Sequence, residues 1–139
     1  MLVESLTCEV ADGLGVAREF TQEDWVRVAF LKYLSIQCYP GTVNLVVGSD
    51  GARLSWNRVR SWEGIQLPAP STDWCGSRAW HARINKKIRA AVILPELDSY
   101  PVNQIELIAP IPVRSELEVD AGDPLSLEIC DQLGAQSPW

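Results

Sequence analysis

Along most of the chain, apolar residues alternate with polar ones or cluster over strand lengths, and only one stretch carries helical spacing. That stretch is "TQEDWVRVAFLKYL", residues 21–34, where Trp25, Val28, Ala29 and Leu31 form a partly one-sided apolar face. Thr21 is placed to cap it, with Asp24 three residues on in a variant of the capping box. The remaining signals are short. "TVNLVV" (42–47) alternates and is followed by turn residues, "GSDGA"; "RAAVILP" (89–95) is an apolar run ended by proline. "NQIELIAPIPV" (103–113) and "PLSLEI" (124–129) alternate or run apolar over strand lengths, with "DAGDP" as the turn between them. Residues 56–80 hold Trp56, Trp62, Trp74 and Trp80 among Gly, Pro and Ser. They read as two irregular strands joined by a loop at "LPAPSTD". Many short strands and one helix predict a mainly β fold, a small closed barrel. The expected domain is 1–131, with a flexible C-terminal tail at 132–139.

Composition narrows the partners. The chain has 139 residues, 47% of them hydrophobic, enough to bury a core without disulfide or metal staples. A net charge of -6 argues against nucleic acid and against a membrane surface, both of which need a basic face. No apolar run has the length of a spanning helix, and the N-terminus lacks the layout of a secretory signal. The expected location is the cytoplasm. Cys8, Cys38, Cys75 and Cys130 form no CxxC pair and none lies near His81, the only histidine, so they read as reduced, mostly buried thiols. His81 reads as a structural or surface residue.

Three segments carry candidate chemistry. In "YPGTVN" (39–44), a strand starting at Thr42 sends Val43, Leu45 and Val47 to one face and Thr42, Asn44 and Val46 to the other. A hydroxyl and a carboxamide are then neighbours, hard neutral oxygens of the kind Mg²⁺ accepts while phosphates and water fill its shell. A turn with two satisfied polar residues would have the same sequence. In "DGLGVAR" (12–18), Gly13 and Gly15 allow a loop whose N–H groups face a phosphate, with Arg18 as a charged donor; an ordinary glycine turn is the alternative. Glu106 sits between Ile105 and Leu107 in an apolar run. It is either a half-exposed strand residue or a carboxylate held in a site, suited to a general base. Arg114 is placed to close on a phosphate or carboxylate.

Taken in order, "GLGVAR", "YPGTVN", "ILPELDSYP", "IELIAPIPVR" and the late turn "AGD" resemble the archaeal-type, CTP-dependent riboflavin kinase family over nearly the whole chain. The resemblance implies a six-stranded cradle-loop barrel. It implies transfer of the γ-phosphoryl group of CTP to the 5′-hydroxyl of riboflavin, giving FMN and CDP, by a monomer or weak homo-oligomer. Carried over by position, Thr42 and Asn44 hold Mg²⁺. Gly13, Leu14, Gly15, Val16, Ala17 and Arg18, with Ile111, Pro112, Val113 and Arg114, hold the cytidine nucleotide. Asp98 and Glu106 contact the flavin, with Glu106 near the attacking hydroxyl as base or orienting group.

The chain departs from the family pattern at several places. The third glycine of the usual GxGxG loop is Ala17, and a methyl there matters if the position needs positive φ. A common Glu is Val16, a common aromatic is Glu19, and a common leucine is Val113. A small hydroxyl residue after "PE" is replaced by Asp98, which brings a charge to the flavin side. An altered loop also fits a different class of protein, a non-catalytic barrel that senses a flavin or cytidine nucleotide. A DNA-binding barrel regulator is disfavoured by the acidic charge.

Overall fold

Period-two patterning builds the frame. In β1 (Val3–Ala11), Leu6, Cys8 and Val10 are buried while their neighbours face out. β2 (Val43–Val46), β4 (Ser77–Ile84), β5 (Ile88–Pro95), β6 (Gln104–Ile108) and β7 (Pro124–Cys130) complete the ring. The computed structural model describes residues 1–13, 15, 17–69 and 75–139. All pairings are antiparallel, in the circular order β4-β5-β6-β2-β1-β7, and the ring closes where Ala82 and Ile84 of β4 face Ile129 and Leu127 of β7. This is the expected six-stranded barrel, and closure removes the exposed sheet edges. A seventh strand, β3 (Ile65–Leu67), pairs with Ser77–Ala79, ahead of the part of β4 that β7 uses.

The barrel interior is filled by Leu45, Trp80, Val92, Leu107 and Leu127, among others. β5 is buried on both faces: Ala90, Val92 and Leu94 point inward, while Ala91 and Ile93 meet a second apolar cluster outside. Double burial explains why "AAVIL" is an unbroken apolar run. The cover is α2 (Asp24–Leu34), which buries Val26, Phe30 and Leu34. That stripe, spaced by four, replaces the expected one: Val28 and Leu31 are 62% and 58% exposed. The helix carries two apolar stripes: the sheet fully covers Val26, Phe30 and Leu34, and Trp25 of the other stripe is half-buried against the same cluster.

Among the described residues, four helical segments stand where one was expected. "GSDGA" is a helix start, not a turn. Ser49 Oγ accepts from the Ala52 N–H at 3.1 Å and opens α3 (Asp50–Ser61). α3 therefore takes Trp56 out of the expected irregular strand and buries it edge-on to Trp80, with ring centroids 6.1 Å apart. The Trp56 Nε1–H donates to Val102 O at 3.1 Å. α1 (Ala17–Phe20) and α4 (Val113–Glu116) are single turns beside the cleft described below. Trp74 and most of the "LPAPSTD" loop (70–74) lie outside the described residues.

β1 was not foreseen, although it is the longest strand. His81 is fully buried, and its Nε2–H donates to Gly134 O at 2.7 Å. Within the expected tail, Arg83 also stacks over the Trp139 ring at 5.3 Å. Cys8 and Cys130 are buried, Cys38 is half-buried and Cys75 is exposed. Burial pushes the Cys8 thiol up to about 12. Among the described residues, no helix is long and apolar enough to cross a membrane.

Candidate active site

Register brings the candidate residues together on the outer wall of the barrel. Ala11 of β1 is paired with Asn44 of β2, and Asn44 with Glu106 of β6. Leu45, Ile105 and Leu107 fill the interior, so alternation turns Asn44, Gln104 and Glu106 outward together. Cross-strand partners of this kind hold their Cβ atoms about 5 Å apart. Gln104 Nε2 donates to Asn44 Oδ1 at 3.4 Å, and the Tyr100 hydroxyl donates to Glu106 Oε1 at 2.7 Å.

The glycine loop leaves β1 and folds over this wall. A Cβ on Gly13 would collide with the Asn44 carboxamide, so the first glycine is required by close approach. Gly15 has φ +80, which favours glycine for a different reason. Ala17 has no such need: it opens α1 and is not among the residues with positive φ. The family's third glycine can therefore be alanine here without backbone strain. Leu14 and Val16 lie outside the described residues.

Thr21 does not cap α2, whose N-cap is Glu23. It is fully buried; its hydroxyl donates to Arg18 O at 3.1 Å and accepts from the Gly41 N–H at 2.8 Å. One side chain thus ties the end of the glycine loop to the turn ahead of Thr42. Gly41 sits in that turn with φ +99. On the far side, Arg114 of α4 pairs with Asp12 at 2.8 Å, linking α4 to the start of the same loop.

These elements enclose a cleft of about 630 Å³, lined by Gly13, Gly15, Ala17, Arg18, Thr42, Asn44, Tyr100, Gln104 and Glu106, among others. A second depression of about 270 Å³ is lined by Tyr39, Ile111, Pro112, Val113 and Arg114, and the two share Gly41 and Thr42. Thr42 stands at their junction. Its Oγ1 is buried and has no hydrogen-bond partner. An orphaned hydroxyl oxygen and, two residues on, a carboxamide lining the same cleft fit a divalent cation, which accepts neutral oxygen ligands. Asp98 is set apart from Glu106: it lines a neighbouring depression with Arg60 and Arg78, which meets the main cleft at Leu97, Tyr100 and Pro101. No described tryptophan lines the main cleft.

Sequence reasoning missed Thr21, Gln104 and Tyr100 as parts of this arrangement. Tyr100 had a signal, since it belongs to the "YP" of a quoted motif. Thr21 had a misleading one, because a threonine ahead of a helix resembles a cap.

The class defined by this fold and cleft is a small β-barrel with a cleft on its outer wall, of the volume usual for a small organic ligand. Residues 10–129 match the family model CTP-dep_RFKase, described as a domain of unknown function, DUF120. This chain belongs to the CTP-dependent riboflavin kinase family, a family of phosphotransferases. It is 29% identical over 130 residues to the riboflavin kinase of Sulfolobus acidocaldarius, covering 91% of this chain and 82% of that protein. It is 30% identical over 125 residues to the riboflavin kinase of Sulfurisphaera tokodaii, covering 87% of this chain and 91% of that one. With the riboflavin kinase of Archaeoglobus fulgidus the identity is 29% over 124 residues, 87% of this chain but 52% of the relative, so the chain spans about half of that longer protein.

Proposed function

We propose that this protein transfers the γ-phosphoryl group of CTP to the 5′-hydroxyl of riboflavin, giving FMN and CDP. The bond from the γ-phosphorus to its bridging oxygen breaks, a bond to the ribityl oxygen forms, and the hydroxyl proton leaves. The observation that carries this reading is the orphaned Thr42 Oγ1 at the junction of two depressions. It stands two residues before Asn44, which is register-paired with Glu106.

Phosphoryl transfer depends on alignment and charge neutralisation more than on covalent help. Thr42 and Asn44 would hold Mg²⁺, which when bound neutralises charge on the phosphates. The described loop residues Gly13, Gly15, Ala17 and Arg18 cradle the phosphates from one side. The cytidine lies along Ile111–Arg114, where main-chain groups in a snug segment select cytosine over adenine without a dedicated side chain. Arg114 exchanges Asp12 for a phosphate oxygen as the nucleotide enters; both residues are substantially exposed, so the exchange costs little. Glu106 receives or orients the ribityl hydroxyl on the flavin side, with Asp98 farther along the same wall. Every residue named comes from one copy of the chain.

The test is chromatography of purified protein incubated with riboflavin, Mg²⁺ and either CTP or ATP. FMN formed with CTP and much less with ATP is expected. FMN absent with both donors, alongside saturable flavin or CTP binding, would replace the kinase by a flavin or nucleotide sensor. FMN formed equally well with ATP would remove the CTP assignment alone.

A further inference from the structure

Tyr100 is assigned no part in the reaction above, yet its hydroxyl bonds the Glu106 carboxylate. Its ring is half-buried against the barrel core, and it forms part of the cleft wall. The hydroxyl lies 2.7 Å from Glu106 Oε1. Burial, and then the adjacent carboxylate, push the phenol's pKa well above its ordinary value of 10, so the oxygen keeps its proton and donates. The Gln104 side chain stands beside the same hydroxyl and reaches Asn44 Oδ1. One chain of polar groups therefore runs from the carboxamide of the cation-binding pair to the carboxylate on the flavin side.

Glu106 needs such a partner. A free glutamate samples several rotamers, and fixing them costs side-chain entropy. A charge-assisted hydrogen bond of this length offsets that cost. With Oε1 held by the phenol, Oε2 is left to meet an incoming hydroxyl. Tyr100 itself packs on the core and starts from a backbone fixed by its own N–H to Leu97 O, 3.1 Å. The donor is thus in place before any substrate binds.

We propose that Tyr100 is a positioning residue for the phosphoryl transfer, fixing the Glu106 carboxylate so that one oxygen faces the attacking hydroxyl. The inference rests on the kinase reading above, and the experiment separates the two. FMN formation is measured for wild type, Tyr100→Phe, Glu106→Gln and the double variant, with thermal midpoints recorded for each. Tyr100→Phe keeps the ring and its packing. Its kcat is expected to fall roughly tenfold, the effect of losing a hydrogen bond to a charged group, while KM for CTP stays as in wild type. In the Glu106→Gln background the same change is expected to add nothing, because the carboxylate it orients is gone. Wild type that makes no FMN overturns the kinase reading and this inference with it. Active wild type with an equally active Tyr100→Phe overturns the inference alone. So do additive losses in the double variant, or a Tyr100→Phe loss that appears only in KM for CTP or only as lowered thermal stability.

Discussion

Replacing Thr42 by valine separates stability from activity, and the two are expected to move in opposite directions. Thr42 Oγ1 is buried and unpaired in the protein alone. A hydroxyl removed from water without a partner costs about 1–3 kcal/mol. Valine has nearly the same shape and no such group, and nothing in the fold depends on a hydrogen bond from position 42. The variant should therefore be as stable as wild type or more so, by about 1 kcal/mol after allowing for imperfect packing of the new methyl. For a chain of this size that raises the melting midpoint by roughly 3–5 °C. FMN formation should fall to background, because one of the two oxygens proposed to hold the cation is gone. Linkage gives a third readout. A ligand present at about 100 times its dissociation constant stabilises the folded state by about 2.7 kcal/mol. Mg²⁺ with CTP should raise the wild-type midpoint by several degrees and leave that of Thr42→Val nearly unmoved. The assays are a melting series with and without Mg²⁺–CTP and a chromatographic FMN assay. A variant that is destabilised, responds fully to Mg²⁺–CTP and still makes FMN would show that the hydroxyl is an ordinary structural group, and the reasoning from its missing partner would fall.

Three further changes test the scaffold around it. Thr21→Val removes both hydrogen bonds that join Arg18 to Gly41; it should cost about 1–3 kcal/mol in a urea melt and raise KM for CTP, with Thr21→Ser restoring both, and a Val variant with wild-type KM would count against the tie. Gly13→Ala places a methyl against the Asn44 carboxamide; activity should drop at least tenfold with a small change in melting midpoint, by the sensitivity of aligned transfer to small displacements, whereas Ala at position 13 with full activity would mean that the loop does not need its close approach. His81 is fully buried, and desolvation first, then the charge of Arg89, lower its pKa from 6.5, partly opposed by its bond to Gly134 O. The unfolded chain then binds a proton more readily than the folded one, so the His81 share of stability is present above pH 6.5 and is lost as pH falls toward the lower folded value. Wild type should lose more stability between pH 7.5 and 5.5 than His81→Gln, and parallel losses would refute the assignment.

The strands were legible where burial is one-sided or complete. "TVNLVV", "RAAVILP" and "PLSLEI" all became strands because their apolar positions match a closed wall. The elements that escaped did so for identifiable reasons. β1 puts a charge, Glu4, in phase with its inward set of Leu6, Cys8 and Val10 and lies at the chain terminus, so the alternation is diluted. α3 begins with Ser49, Asp50 and Gly51, the residues a turn also uses, since a helix N-terminus and a turn both draw on side-chain bonds to nearby N–H groups. The Thr42–Asn44 spacing was readable because alternation alone puts both on one face. The Asn44–Glu106 and Thr21–Gly41 partnerships were not, because they join residues 62 and 20 positions apart and depend on strand register and loop placement that only the folded chain fixes.

A net charge of -6 and the proposed triphosphate substrate are compatible in this arrangement, but only at short range. Beyond a Debye length of about 8 Å at physiological salt the summed field is screened, and what remains of it repels an anionic nucleotide. Attraction must come from groups that touch it. Arg18 lines the main cleft and Arg114 the second one, each on a different side of Thr42. Backbone N–H groups of a loop built on Gly13 and Gly15 add donors without adding fixed charge. The oxygens proposed to hold the cation are neutral, so they do not neutralise it in advance. A pair of carboxylates in their place would bind a bare cation more tightly, and would leave less positive charge to face the phosphates. Glu106, the carboxylate nearest the pair in register, is held by Tyr100. In the proposed reaction that bond keeps its charge directed at the ribityl hydroxyl, which needs an acceptor.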